Sequence, residues 1–204
     1  GSALYGRAEP GGTINLVTKK PQFTPQGSIE LAAGRFSKYR ISGDYTGPIS
    51  DNVAFRINGA YDKADSFRDF VSSKKYALSP SLLAKFGSAT TLTYELELLK
   101  QEAPFDRGIV AVNGALGAVS PNTFLGEPGD GDTVIKATGH QLVLQHDFSS
   151  NWSLLTGFGY RKSSFTGFSS DPELVAGRQA FYTNGTILAR QRRFRDYDAT
   201  DLTA

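Results

Sequence analysis

The sequence predicts an all-β fold made of antiparallel strands, and three observations support this prediction. Apolar and polar side chains alternate with a period of two along several segments. Some of these segments are joined by short polar turns, whereas others are joined by long stretches rich in Gly and Pro. The side opposite the apolar residues carries charges, which need water or a polar partner.

The first clear alternation covers residues 37–47, after the composition changes at Pro25. Tyr39 and Ile41 fall on one side of this strand, and Arg40 and Asp44 fall on the other. A turn at residues 48–52 leads to a second alternating segment. Its apolar side is formed by Val53, Phe55, Ile57 and Tyr61. The two segments predict a hairpin that is apolar on one side only.

The same pattern recurs further along the chain. Strands are predicted over residues 75–86, 92–98, 142–148 and 152–160, with tight turns at 87–90 and 149–151. We expect about eight strands in all. The last segment, residues 190–204, ends within the pattern, so the sheet is expected to remain incomplete in this chain.

The connections and the aromatic residues indicate a transmembrane barrel. Two long loops are predicted, over 103–137 and 170–189, and outer-membrane barrels combine such loops with short periplasmic turns. Aromatic residues flank the short turns, as expected at a membrane–water boundary, although a general preference of aromatics for strands remains an alternative. These residues are Tyr45, Phe55, Phe86, Phe148 and Trp152. Charged residues opposite them predict a polar lumen and an apolar exterior.

Composition narrows the possible functions. The net charge of +2 is too small for a typical nucleic-acid binder, and no nucleic-acid partner is expected. The chain has no Cys, which removes disulfide scaffolds, thiol catalysis and Cys-based zinc sites. No phosphate-binding loop or nucleophile elbow occurs, so we expect no enzyme activity. The absence of Met and the start at Gly1 favour an internal fragment.

Several motifs resemble the TonB-dependent siderophore receptors of the bacterial outer membrane. Residues 4–21, LYGRAEPGGTINLVTKKP, are similar to the end of the plug domain of this family. Residues 44–56 are similar to its first barrel hairpins, and residues 103–108 and 124–129 resemble the third outer loop of the ferrichrome and hydroxamate branch. The resemblance spans nearly the whole chain, and the plug motif is its most specific part.

The resemblance implies a fold and two domains. Residues 1–25 correspond to the C-terminal end of the plug domain and its connection to the barrel. Residues 26–204 correspond to the first strands of a large antiparallel transmembrane barrel of about 22 strands, with a plugged lumen. The segment that contacts TonB would lie upstream and is absent here. We further expect that this chain does not fold alone, because an open sheet exposes its edges and its apolar side.

The resemblance also implies ligand-binding residues. Tyr5 belongs to a motif that faces the ligand pocket at the plug apex, and Arg7 follows it with a positive charge. Phe105 and Arg107 begin the long loop and are expected to line the outer vestibule. The alternatives are packing of Tyr5 against the barrel wall and an ion pair between Arg7 and that wall. No metal site and no cofactor are expected, since ferric iron would arrive only as a siderophore chelate.

A basic cluster lies where a strand leaves the second long loop. We predict that it faces lipopolysaccharide phosphates at the outer rim, with a solvated rim of internal ion pairs as the alternative. Its members are Arg190, Arg192, Arg193 and Arg195.

The function implied by the resemblance is TonB-dependent uptake of a ferric siderophore. The partners would be the ferric siderophore, TonB, outer-membrane lipid and lipopolysaccharide. The alternatives are a TonB-dependent receptor for another bulky nutrient, such as a corrinoid, haem or an oligosaccharide, and a porin or structural barrel without gating. A passive barrel needs no plug segment, so residues 1–21 argue against the last alternative.

Overall fold

The computed structural model describes residues 18–110, 117, 119–172 and 190–203. They form one antiparallel sheet of eight strands that pair in sequence order from β1 to β8. The strands are β1 (Gln26–Gly34), β2 (Lys38–Ser50), β3 (Val53–Asp65), β4 (Ser72–Phe86), β5 (Thr90–Ala103), β6 (Thr133–Ser149), β7 (Trp152–Pro172) and β8 (Arg190–Thr203). A 3-10 turn, Pro128–Asp130, lies in the connection between β5 and β6. The all-β prediction and the number of strands are confirmed.

Several strands extend beyond their predicted ends. β2 continues to Ser50, and Pro48 still pairs with Ala54 in register. The ladder shifts register only beyond this pair, between Pro48 and Ser50. β6 begins at Thr133, so the predicted loop 103–137 was too long. The alternation of apolar and polar residues is weak at these ends, since each strand continues past the apolar band into polar surroundings.

The connections differ between the two ends of the sheet. Turns at residues 51–52, 87–89 and 150–151 are tight and lie at one end, which we call the short-turn end. The opposite end, called the loop end, carries the long connections 104–132 and 173–189. Two connections at the loop end, 35–37 and 66–71, are also short. The asymmetry that the sequence predicted therefore begins only after β5.

The two sides of the sheet differ in the way expected for a barrel wall. Large apolar side chains are exposed on one side, called the outward face; Tyr39, Ile41 and Ile57 are 44%, 49% and 42% exposed. The opposite side, called the inner face, carries Asp44 and Arg56, which are largely buried. The apolar residues do not meet in a dry centre between two sheets. Burial in such a centre would have contradicted the barrel.

Aromatic residues mark both ends of the outward face. Phe86, Phe148 and Trp152 are exposed at the short-turn end, where Tyr45 also contacts Phe55 with ring centroids 5.7 Å apart. Nearer the loop end, the ring of Tyr61 lies 6.1 Å from that of Tyr39 and 4.9 Å from that of Tyr76. Two aromatic rows that flank an apolar band are typical of outer-membrane barrels. No helix within the described ranges is long and apolar enough to cross a membrane.

Candidate ligand-binding site

A buried ion pair lies on the inner face between β2 and β3. Asp44 on β2 and Arg56 on β3 fall on the inner side by strand alternation, and their residues are diagonal neighbours in the ladder. Arg56 donates from Nε and Nη2 to the two carboxylate oxygens of Asp44, at 2.9 and 2.5 Å. This bidentate geometry is the strong form of a carboxylate–guanidinium contact.

The chain that precedes β1 crosses this face. The backbone N–H of Gln22 donates to Oγ1 of the fully buried Thr46 over 2.8 Å. Arg56 donates to the carbonyl oxygen of Lys20, and Lys19 forms an ion pair with Asp44 at 3.2 Å. Thr18 reaches Glu95 on β5 with a hydrogen bond of 2.8 Å. Side chains of the wall therefore hold residues 18–22 against the inner face.

A trough continues from this segment along the later strands. It has a volume of about 640 Å³, and its walls include Thr18 and Lys19 as well as residues of β5 to β8. Arg161 on β7 donates to Glu97 on β5 across the trough at 2.5 Å. Gly139 on β6 lies between them in the ladder and leaves room for this contact. The charged pair Glu97–Arg161 therefore lies within the trough, as expected for a water-filled lumen.

A second cluster, called the outer cluster, lies on the inner face near the loop end. Phe165 on β7 is on the same side as Arg161 because four residues separate them along an unshifted ladder. The ring of Phe105 contacts the ring of Phe165 edge-on, at 6.2 Å between centroids, and the guanidinium of Arg195 lies 4.6 Å from the centroid of Phe105. Tyr197 lies opposite Phe165, with centroids 6.2 Å apart.

Asp171 joins two arginines of the outer cluster. Its Oδ2 lies 3.3 Å from Nε of Arg107 and 3.5 Å from Nη2 of Arg195, which also contacts Ser169. Among the residues that the structure describes, none donates a hydrogen bond to Oδ1 of Asp171, although Asp171 is only 6% exposed. A buried acceptor without a donor is costly, so this oxygen is available to an N–H or O–H group that enters the cluster.

The predicted site residues can now be located. Phe105 and Arg107 lie together in the outer cluster, and the structure adds Asp171 and Arg195 to them. Tyr5 and Arg7 lie outside the described residues. Asp171 was not predicted as a site residue because it fell inside the predicted loop 170–189. In the structure β7 continues to Pro172, so Asp171 lies on a strand and its side chain is on the inner face.

The basic cluster of β8 is divided between the two sides of the strand. Arg190 pairs with Glu127 at 2.9 Å and Arg192 pairs with Asp130 at 2.6 Å. Arg193 contacts Gln191, and Arg195 belongs to the outer cluster. Two of the four arginines therefore hold the loop that contains the 3-10 turn. The contact with lipopolysaccharide stays a prediction.

Asp130 is the centre of this loop attachment. Its side chain is 5% exposed and accepts hydrogen bonds from Ser170 at 2.7 Å and from Arg192 at 2.6 Å. Burial alone would raise its pKa, but these two donors, with the charges of Arg192 and Arg190, hold the pKa of Asp130 below the ordinary value. Among the described residues, no group of three or more acidic or His side chains is placed to hold a metal ion.

Comparisons with known proteins agree with this architecture. The chain is 33% identical over 202 residues to the metal-pseudopaline receptor CntO of Pseudomonas aeruginosa, covering 98% of this chain and 28% of that protein. It is 32% identical over 177 residues to the ferrioxamine B receptor of Salmonella typhimurium (strain SL1344), covering 81% of this chain and 24% of that receptor. The chain thus spans about a quarter of these relatives. No family model matches.

Solved structures share the fold. The closed form of the ferric-catecholate import receptor Fiu from Escherichia coli K12 aligns over 98% of this chain and 30% of its own, with a TM-score of 0.82 and 20% identity. A siderophore receptor from Acinetobacter baumannii, PiuA, aligns over 84% of this chain and 26% of its own, with a TM-score of 0.74 and 21% identity. The chain is a homologue of one section of the TonB-dependent siderophore receptors, and its eight strands form part of an outer-membrane barrel wall.

Proposed function

We propose that the protein to which this chain belongs imports a ferric siderophore across the bacterial outer membrane, with energy delivered through TonB. The observation that carries the proposal is the match to CntO over 98% of the chain, together with the matches to ferrioxamine receptors. These proteins are receptors for metal chelates by name. The chain spans about a quarter of them, so the proposal concerns the longer protein.

The chemistry of the outer cluster suits a chelated metal. The ring of Phe105 offers an apolar surface for the organic part of a chelate. Arg107 and Arg195 supply positive charge, and Oδ1 of Asp171 supplies a free acceptor. Ligand sites of this kind combine aromatic surface with a few convergent polar groups. Under this proposal the iron keeps its own ligands and needs none from the protein.

The domain assignment is part of the same proposal. Residues 1–25 would end the plug and residues 26–204 would begin the barrel wall, and the start of β1 at Gln26 supports that boundary. Tyr5 and Arg7 would face the ligand from the plug. TonB would act on a segment upstream of this chain, and residues 18–22 would remain attached to the wall. Lipid and lipopolysaccharide would surround the outward face.

We propose a hydroxamate-type chelate as the first candidate for the cargo, since two named ferrioxamine receptors are among the relatives. A chelate of a metal other than iron is the second candidate. It is favoured by CntO, whose name specifies metal-pseudopaline without restricting the metal. The two candidates differ in the metal that must accumulate in cells.

The test is transport by the full-length receptor in an iron-starved deletion strain. Uptake of 55Fe-labelled ferrioxamine should depend on the receptor, and uptake of metal-pseudopaline labelled with 65Zn would identify the second candidate. Phe105→Ala and Arg107→Gln should each weaken chelate binding about tenfold, which corresponds to about 1.4 kcal/mol. Arg35→Gln is the matched control, because Arg35 is an exposed arginine in the β1–β2 turn. Absence of receptor-dependent uptake for every chelate would overturn the proposal.

A further inference from the structure

The carboxylate of Asp171 in the outer cluster is satisfied on one oxygen only. Its Oδ2 lies 3.3 Å from Nε of Arg107 and 3.5 Å from Nη2 of Arg195. Within the described part of the chain no group donates to Oδ1, although the side chain is only 9% exposed. A buried acceptor without a donor destabilises the protein, and native proteins contain few of them. A ligand that supplies the missing donor would remove this cost.

The position of Oδ1 is fixed by the surrounding strands. Asp171 lies near the end of β7, where the ladder with β8 continues as far as Pro172. Arg195 on β8 contacts both Asp171 and Ser169, and its side chain is only 12% exposed. The ladder therefore holds the backbone of Asp171, and the two arginines hold Oδ2. Because both oxygens belong to one planar carboxylate, Oδ1 is held as well.

An apolar ring lies beside these arginines. The guanidinium of Arg195 lies 4.6 Å from the ring centroid of Phe105, and that of Arg107 lies 5.4 Å from it. Phe165, on the inner face of β7, contacts the same ring edge-on. A chelate group that reaches Oδ1 from the lumen would therefore also lie beside two cations and an aromatic surface.

The charges around Oδ1 favour a neutral donor. Arg107 and Arg195 each carry one positive charge and Asp171 carries one negative charge, so the three side chains together carry one positive charge. An ammonium group would be attracted by Asp171 but repelled by both guanidinium groups. An amide N–H or a hydroxyl group meets no such repulsion. The side chain of Arg107 is 48% exposed, so its guanidinium can also contact an oxygen of the same chelate from the solvent side.

We propose that Asp171 determines which chelates the outer cluster accepts. Its Oδ1 receives a hydrogen bond from a neutral N–H or O–H group that lies outside the metal-binding groups of the chelate, such as a secondary amide. A site with a buried acceptor rejects a ligand that lacks the matching donor, because the acceptor then stays unpaired. The inference rests on the proposed function and names the chemical feature by which the receptor selects among chelates of equal charge.

The experiment compares two chelates that differ only in this donor. Both are linear ferric trihydroxamates of equal charge with an acetylated terminal amine. In the first, the hydroxamates are joined by secondary amides, whereas in the second every amide nitrogen carries a methyl group and has no N–H. The affinity of each chelate for the full-length receptor in detergent is measured by isothermal titration calorimetry.

Asp171→Asn is the variant that tests the acceptor. Its amide oxygen still accepts from the arginines, so its NH₂ group takes the place of Oδ1 and replaces an acceptor by a donor. Asp198→Asn is the matched control, because Asp198 is exposed and lies opposite Ser164, on the outward face of β8. The unfolding temperature shows whether each variant is folded. If Asp171→Asn does not fold, the comparison of the two chelates on the unchanged receptor still tests the inference.

The unchanged receptor and the control should bind the secondary-amide chelate at least about tenfold more tightly than the methylated one. Asp171→Asn should lose this preference and bind the methylated chelate within about twofold of the unchanged receptor.

A purely structural role of Asp171 would weaken the binding of both chelates equally, and that result would overturn the inference. Equal affinities of the two chelates for the unchanged receptor would overturn it too, and so would a failure of the secondary-amide chelate to bind. Receptor-dependent uptake of another chelate would in each case leave the proposed function standing, so the two failures can be told apart.

Discussion

The inner and outward faces of the sheet reach stability in different ways. On the inner face, charged groups pair with one another and with the segment that precedes β1; Arg56 contacts both Asp44 and the carbonyl of Lys20. On the outward face, large side chains such as Ile57 and Leu78 remain about 40% exposed. The outward face therefore needs lipid to cover its apolar side chains, whereas the buried charges of β2 and β3 on the inner face have partners within the protein.

This difference changes the meaning of burial. In a soluble domain an exposed leucine and a buried arginine would both need an explanation. Here the exposed residues form the surface that the bilayer solvates, and the buried arginine has partners for its donors. Loss of a charge should therefore destabilise the inner face, and gain of a charge should destabilise the outward face. The first two experiments below test this expectation, and the third tests the attachment of the loop at Asp130.

The largest effect is expected from Arg56→Met on the inner face. Asp44 would lose its bidentate partner while it remains mostly buried, and such losses cost about 3–5 kcal/mol. The unfolding temperature of the full-length receptor in detergent should fall clearly. The double variant with Asp44→Asn should recover much of the loss, because it removes the unpaired charge.

Lys19→Gln is the control for this experiment. Lys19 contacts the same carboxylate, but its side chain is 69% exposed, and exposed pairs contribute about 0–1 kcal/mol. An effect as large as that of Arg56→Met would show that the buried bidentate pair stabilises the fold no more than the exposed pair does.

A smaller effect is expected from Leu78→Arg in the middle of the outward face. A lipid-facing arginine at the bilayer midplane costs about 2–4 kcal/mol, whereas one near the boundary costs about 0–1 kcal/mol. Thr138→Arg, near Lys162 on the same face, provides the boundary position. Denaturant titration of receptors in lipid vesicles measures both values. Equal losses at Leu78 and Thr138 would contradict the assignment of depth.

The smallest effect is expected from acidification at the loop end. The pKa of Asp130 is lower when folded than when unfolded, so its contribution is present at neutral pH and is lost as the pH falls below about 4. Amide hydrogen exchange of residues 126–131 should then increase. Asp130→Asn should weaken protection already at pH 7, while the exposed Asp132→Asn should leave it unchanged. Protection that is constant down to pH 3 would contradict this attachment.

Much of the fold was predictable because the pattern that encodes it is local. Strand alternation identifies which side chains of β2 and β3 share a face, and the observed register of Tyr45 with Ile57 agrees with that pattern. The ends of the strands were harder to predict. Thr133, for example, is part of a strand because it pairs with Ala103 on β5. The sequence around Thr133 alone does not show this pairing.

The outer cluster was only half predictable. Phe105 and Arg107 were identified from a loop motif that resembles a known family. Asp171 and Arg195 join them through the register of β7 with β8, which places Gly167 opposite Arg195 and brings Asp171 within reach. Those contacts link residues that are distant in sequence, so the periodicity within one segment does not predict them.

The attachment of residues 18–22 has a mechanical consequence. Thr46 and Arg56 bind that segment through their side chains, and within the described residues the segment adds no strand to the sheet. Tension applied from the amino-terminal side would act on these few side-chain contacts one after another. The backbone hydrogen bonds between β2 and β3 would stay intact. The paired strands of the wall therefore do not depend on backbone pairing with residues 18–22.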